Sequence, residues 1–197
     1  MVHLKKLVIA SSNKGKLSEF SALLGSFRIN VLPQSHFDVP EVDEPHPTFI
    51  ENALVKARQA CHYTGLPALA DDSGICVNAL DGAPGVLSAR YAGEPKSDQR
   101  NNQKLIEKLR DASDRGAYYY CVIVLLQHAE DPRPIIAEGL WRGEIIMTPR
   151  GEGGFGYDPY FFIPELKKTA AELQPDIKNK ISHRGKALAS LIENLKP

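Results

Sequence analysis

What the chain lacks narrows its class before any motif is read. Its 197 residues include only three cysteines, Cys61, Cys76 and Cys121, an odd number without C-x-x-C spacing. A disulfide framework or a cysteine zinc site does not fit that count, and each thiol lies in an apolar segment where a buried, reduced cysteine is expected. Charge of one sign is missing too, since 24 Lys plus Arg balance 24 Asp plus Glu. Zero net charge leaves no overall basic footprint for duplex nucleic acid, so no nucleic-acid partner is expected. The longest apolar run, Cys121 to Leu126, falls far short of the roughly 20 residues that span a bilayer, so no membrane association is expected either. The opening Met1-Val2-His3-Leu4-Lys5-Lys6 has no signal-peptide layout, and a cytoplasmic location follows as the expectation. Repeats, low-complexity tracts and linkers are absent, which predicts one folding unit, a single domain over residues 1–197.

What is there is ordinary globular material: 43% hydrophobic and 24% charged residues. A chain of this length buries about 70% of its unfolded surface, enough for a core without staples. Leu7-Val8-Ile9-Ala10 reads as a buried strand and Ser11 to Lys16 as a polar loop. Leu17, Phe20, Leu23 and Leu24 then recur at helical spacing until Gly25. Ile29 to Leu32 is a second strand, and residues 33–47 form a proline-rich acidic loop. Thr48-Phe49-Ile50-Glu51 has capping-box form and opens a helix with Ile50, Leu54, Ala57 and Cys61 on one face, closed by Gly65. Ala68–Ala70 and Ile75–Val77 are expected as two short strands flanking Asp71-Asp72-Ser73-Gly74. Ser97 caps a helix that turns Leu105, Ile106 and Leu109 inward. Tyr118–Leu126 and Ile135–Ile146 form a hairpin about the Asp131-Pro132-Arg133-Pro134 break, Tyr160–Ile163 is a further strand, and a last helix lines up Leu188, Leu191, Ile192 and Leu195. This order predicts an α/β fold with a mixed central sheet and flanking helices.

Four constellations carry chemistry. Ser11-Ser12-Asn13-Lys14-Gly15-Lys16, between strand and helix, offers amides and two lysines to an anion, without being a Walker A loop. The competing reading is a βα turn with solvated lysines. Glu41, Asp43, Glu44, Glu51, Asp71 and Asp72 form an acidic set, and Mg²⁺ uses one or two such carboxylates plus substrate phosphates. Solvation suffices for the loop acids. Asp71 and Asp72, wedged between apolar strands, need partners, and their adjacency sends them in different directions. Gly151 to Gly156 formally satisfies G-x-G-x-x-G, but Pro159 and a β run follow where a dinucleotide fold needs a helix. There Phe155 and Tyr157 are free to stack on a base, or else to fill a core. Lys178 to Arg184 forms a donor-rich patch suited to carbonyl or phosphate oxygens, or a cationic helix edge. The other five histidines show no ligand spacing, so no zinc is expected.

Taken together, Ser12-Asn13-Lys14-Gly15-Lys16, Thr48-Phe49-Ile50-Glu51-Asn52-Ala53, Ala70-Asp71-Asp72-Ser73-Gly74, Gly82-Ala83-Pro84-Gly85, Ser88-Ala89-Arg90-Tyr91, Gly153-Gly154-Phe155-Gly156-Tyr157-Asp158-Pro159 and Ser182-His183-Arg184-Gly185 resemble the inosine triphosphate pyrophosphatase family. The pattern is most similar to its bacterial dITP/XTP branch. That resemblance implies an elongated, two-lobed fold with a cleft between the lobes. It implies Mg²⁺-dependent hydrolysis of dITP, ITP or XTP to the monophosphate and pyrophosphate by a homodimer. By position, Ser11, Ser12, Asn13, Lys14, Gly15 and Lys16 would hold the triphosphate and Ser73 would contact substrate. Asp72 would be general base and metal ligand, with Glu44 as second ligand, although Glu44-Pro45-His46-Pro47 departs from the family's usual threonine and glycine. Phe155, Gly156, Tyr157, Asp158, Lys178, His183 and Arg184 would bind the nucleoside. The rival readings are a Maf-like pyrophosphatase for other nucleotides and a non-catalytic triphosphate sensor.

Overall fold

Buried strands with continuous apolar faces organise the chain. The computed structural model describes residues 5–25 and 29–195, without the side chains of Lys14, Glu19, Ala22 and Leu23. The expected role of Leu23 in a helical face, and the reading of Met1 to Leu4, lie outside the described residues. Seven strands follow: β1 (Lys6–Ile9), β2 (Asn30–Pro33), β3 (Ala68–Val77), β4 (Gly116–Leu126), β5 (Ile135–Ile145), β6 (Phe161–Ile163) and β7 (Lys168–Thr169). Helices are α1 (Lys14–Leu24), α2 (Phe49–Thr64), α3 (Asp98–Lys108), α4 (Pro175–Ile181) and α5 (His183–Leu195). The strands hydrogen-bond in the order β2-β1-β3-β4-β5-β6-β7. β1 runs parallel to β2 and β3, with Leu7 opposite Val31 and Val8 opposite Ala68, whereas β6 is antiparallel to β5 and β7. The sheet is mixed, as the element order requires.

By its contacts the chain divides into two compact units. The first joins residues 1–72, 121–138 and 187–197, and its core packs Leu7, Ile9, Phe20, Leu69, Ile123 and Leu188. The second joins residues 73–120 and 139–186 around Ile75, Leu105, Tyr119, Trp141, Tyr157 and Phe161. Strands β3, β4 and β5 and helix α5 each pass from one unit's residues to the other's. Among the described residues no helix is long and apolar enough to cross a membrane.

Three expectations need correction. β3 is one strand of ten residues, not two short ones flanking a turn. Asp71, Asp72 and Ser73 are turn formers by composition, yet each finds a side-chain partner within its own unit, so the strand runs through them. In α2 the buried face is Asn52, Ala53, Ala57, Ala60 and Cys61, while Ile50 is exposed. Small side chains let the helix approach closely, and the face turns toward Asn52. Finally, Lys14 to Lys16 belong to α1 and not to a loop, because Asn13 caps the helix with its side-chain oxygen accepting from the Lys16 N–H at 3.1 Å.

Candidate active site

In the first unit, three carboxylates and two lysines converge. Helix α2 starts where Thr48 accepts from the Glu51 N–H and stops at Gly65, whose φ of 64° suits the left-handed cap. That fixes Asn52 and Lys56, one turn apart on the same face. Lys56 Nζ lies 2.7 Å from Glu44 Oε1 and 3.5 Å from Asp72 Oδ1. Asn52 Nδ2 donates to Asp72 Oδ2 at 3.4 Å and to the His46 carbonyl at 3.1 Å, and Asn52 Oδ1 accepts from the His46 N–H. Asn52 thereby ties the Glu44 loop to Asp72. Asp71, the neighbour in β3, ion-pairs with Lys16 at 2.8 Å. The strand's alternation gives the two aspartates different partners.

Burial sets the electrostatics. Asp72 is 6% exposed. Burial, with a smaller push from Glu44 and Asp71, holds its carboxyl above the usual range against the pull of Lys56 and Lys16. Burial alone would lower the Lys56 ammonium, but Asp72, Asp71 and Glu44 together hold it above its ordinary value. Glu44 and Asp72 both reach one Nζ, so the Lys56 ammonium brings the two carboxylates to a shared positive charge. Among the described residues no group of three or more His, Cys, Asp or Glu is arranged to hold a metal. Two carboxylates fit Mg²⁺, which keeps its remaining positions for water and phosphate oxygens.

Ahead of α1, Ser11 Oγ accepts from the Asn13 N–H at 3.2 Å, and Ser12 is exposed. The first helical turn carries no acid, and its leading amides lack intrahelical acceptors, the arrangement that attracts phosphate. The side chain of Lys14 lies outside the described ones.

The second unit brings together most of the other expected residues. Asp158 is buried, and its Oδ2 accepts from Lys178 Nζ at 2.7 Å and from the Phe155 N–H at 2.8 Å. Lys178 Nζ also sits 5.0 Å from the centre of the Phe155 ring, which is 41% exposed. The Tyr119 hydroxyl donates to Asp158 Oδ1 at 3.4 Å, and its ring stacks on His183 at 4.7 Å and 10°. Burial holds the Tyr119 phenol well above its ordinary range, so it serves as a donor at neutral pH. Arg184 is buried and donates to Ser73 Oγ at 3.2 Å. Tyr157 is buried with its hydroxyl on the Ser88 carbonyl at 2.8 Å, leaving Phe155 as the open aromatic of the pair.

Sequence reading missed Lys56 and Tyr119 and gave Asn52 no role. For Lys56 a signal existed: Asn52 and Lys56 stand at i and i+4 in a helix whose face must meet Asp72 if Asp72 is to be paired.

A family model described as the Ham1 family matches residues 7–194. The chain belongs to the Ham1 family. It is 67% identical over 192 residues to a protein of Nitrosomonas europaea named dITP/XTP pyrophosphatase, covering 98% of this chain and 95% of that relative. A protein of the same name from Aromatoleum aromaticum is 60% identical over 190 residues, covering 96% of each chain. A solved Ham1 protein from Coxiella burnetii superposes with a TM-score of 0.92 at 51% identity, over 96% of this chain and 98% of that one. The Ham1 protein of Staphylococcus aureus gives 0.87 at 40% identity, over 98% of this chain and 100% of its own. The expected family and mixed α/β fold are both borne out.

Proposed function

We propose that this chain hydrolyses dITP, ITP and XTP to the monophosphate and pyrophosphate, clearing such nucleotides from the pool. Its relatives' names support the reaction, and the buried Asp72 between Lys56 and Asn52 carries it. A carboxylate whose basicity is raised by burial, yet which stays hydrogen-bonded and paired, is equipped to accept a proton from water. Water oxygen then bonds to the α-phosphorus, the bond from that phosphorus to the β-bridging oxygen breaks, and pyrophosphate departs. Lys16 and the first-turn amides of α1, with Ser11, Ser12, Asn13, Lys14 and Gly15, neutralise and orient the phosphates. Asp72 and Glu44 would hold Mg²⁺, which when bound polarises phosphoryl oxygens and acidifies water.

In the second unit, Phe155 stacks on the base, while Lys178 and Arg184 offer donors to a 6-keto oxygen. Adenine presents an amine there, and leaving such donors unpaired costs on the order of 10⁴-fold in discrimination where a site is built on that bond. Gly156, Tyr157, Asp158, His183 and Ser73 hold this arrangement. Both units act as one pyrophosphatase domain over residues 1–197, an inference supported by the strands they share. A cytoplasmic homodimer completes the proposal, checked by light scattering.

The deciding experiment measures pyrophosphate release from dITP and XTP beside dATP, dGTP and dCTP, with Mg²⁺ and with EDTA. Release confined to dITP and XTP, abolished by EDTA, is the expected result. Tight binding without release would instead support the sensor, and preference for dCTP the Maf-like class.

A further inference from the structure

The stretch that presents Phe155 is gripped by α3 on both sides of one residue. Gly156 adopts φ of +64°, in the left-handed region. Its N–H donates to Asp98 Oδ2 at 2.7 Å, and its carbonyl accepts from Asn102 Nδ2 at 2.8 Å. Asp98 and Asn102 are four positions apart, so they share a face of α3 and bracket one residue's donor and acceptor. Helix α3 is itself anchored: Asn101 Oδ1 accepts from the Ala92 N–H at 2.8 Å, and Lys104 Nζ donates to the Tyr91 carbonyl at 2.6 Å. On the other side, Asp158 holds the Phe155 N–H. The backbone around Phe155 is thus tied down while its ring stays open.

Asn102 is only 8% exposed, and its Oδ1 finds no hydrogen-bond partner among the described residues. A buried acceptor without a partner is unfavourable, and an apolar side chain of similar shape avoids it. Packing therefore does not explain the amide. Its donation to Gly156 does.

We propose that Asp98 and Asn102 are positioning residues for base recognition. They fix the Gly156 peptide and with it the direction in which Phe155 meets the purine, without touching substrate themselves. This rests on the reading of Phe155 as the base platform.

Steady-state kinetics with dITP and dATP test it on the full-length wild type and on Phe155→Ala, Asp98→Ala, Asp98→Asn and Asn102→Leu, with melting curves for each. Phe155→Ala is expected to raise KM for dITP. Asp98→Ala should raise that KM about tenfold, the worth of one charge-assisted hydrogen bond, with kcat little changed. Its dITP-to-dATP preference should fall. Asp98→Asn keeps an oxygen that accepts the Gly156 N–H and should recover most of the loss. Asn102→Leu removes an unpaired acceptor but also the donor to the Gly156 carbonyl, so it should melt close to wild type while raising KM about fivefold, a neutral hydrogen bond's worth. An Asp98→Ala enzyme with unchanged KM and base preference, beside an impaired Phe155→Ala, overturns the proposal while sparing the base platform. Unchanged KM in Asn102→Leu overturns its half. Unchanged KM in Phe155→Ala removes the platform and the proposal together.

Discussion

Asp72 is where a single side chain decides most. Replacing it by Asn keeps the volume and the Asn52 and Lys56 neighbours but removes the proton acceptor. Asp72→Asn should therefore lose about a hundredfold or more in turnover while still binding dITP, measured by pyrophosphate release and by calorimetry. Near-normal turnover would remove Asp72 from the chemistry. Cys61 allows a second residue-scale test, because burial pushes its thiol up to about 11. An unfolded-chain thiol titrates near about 8.5, so over this interval the native state holds a proton that the unfolded state has released. The contribution is complete below the unfolded value and vanishes as pH rises through the folded one. Native protein should resist alkylation at Cys61 at neutral pH. Its melting temperature should also fall with alkaline pH more steeply than that of Cys61→Ala; equal slopes would contradict the burial argument.

Among elements, the α4–α5 corner has the least room. A Cβ on Gly185 would run into the Asn179 carbonyl oxygen, a backbone atom that cannot swing aside. Gly185→Ala must therefore push α4 from α5, and overpacking of this kind costs about 3 kcal/mol. Lys178 sits on α4 and His183 and Arg184 on α5, so dITP affinity should fall together with stability. Gly25 is the contrast: its φ is −58°, and among the described residues nothing lies within 4 Å of an added Cβ. Gly25→Ala should raise stability by about 0.5 kcal/mol through the unfolded chain alone. Thermal melts of both variants check the pair. Element scale is also where the sequence was most and least readable. Thr48, Gly65, Ser97 and the Leu188–Leu191 stripe act locally, and their elements stand where local chemistry puts them. β3 was misread because Asp71 to Gly74 favour turns until Lys16, Lys56 and Arg184, distant in sequence, pair with them. Motif resemblance pointed to Asp72, Glu44 and Phe155–Asp158 as candidates, and the structure joins Asp72 to Glu44 through Lys56 and Phe155 to Asp158. The resemblance did not point to Lys56, whose i, i+4 spacing from Asn52 becomes a signal only once Asp72 is seen to need a partner, or to Tyr119, to which only tertiary contacts give a role.

At the scale of the whole molecule, charge balance links the site to stability. Glu44, Asp71 and Asp72 face Lys16 and Lys56, so one negative charge is left over among these groups in the first unit. The lysines already neutralise most of the acids, so the fold is expected to stand without metal. Wild type should keep its melting temperature in EDTA while losing pyrophosphate release, with Mg²⁺ adding only a small upward shift. Lys56→Met changes that balance by leaving Glu44 and Asp72 without their shared cation. Removing one partner of a buried pair costs about 3 kcal/mol, and the solvent reach of Glu44 trims that to about 2. Mg²⁺ bound between the same two carboxylates should then return part of the loss by mass action, since the unfolded chain offers no such pair. The Mg²⁺-induced rise in melting temperature should accordingly be larger in Lys56→Met than in wild type, and it should disappear again in a Lys56→Met, Glu44→Gln double variant. An equal Mg²⁺ shift in all three proteins would place the metal away from Glu44 and Asp72, whatever the kinetics of the intact enzyme.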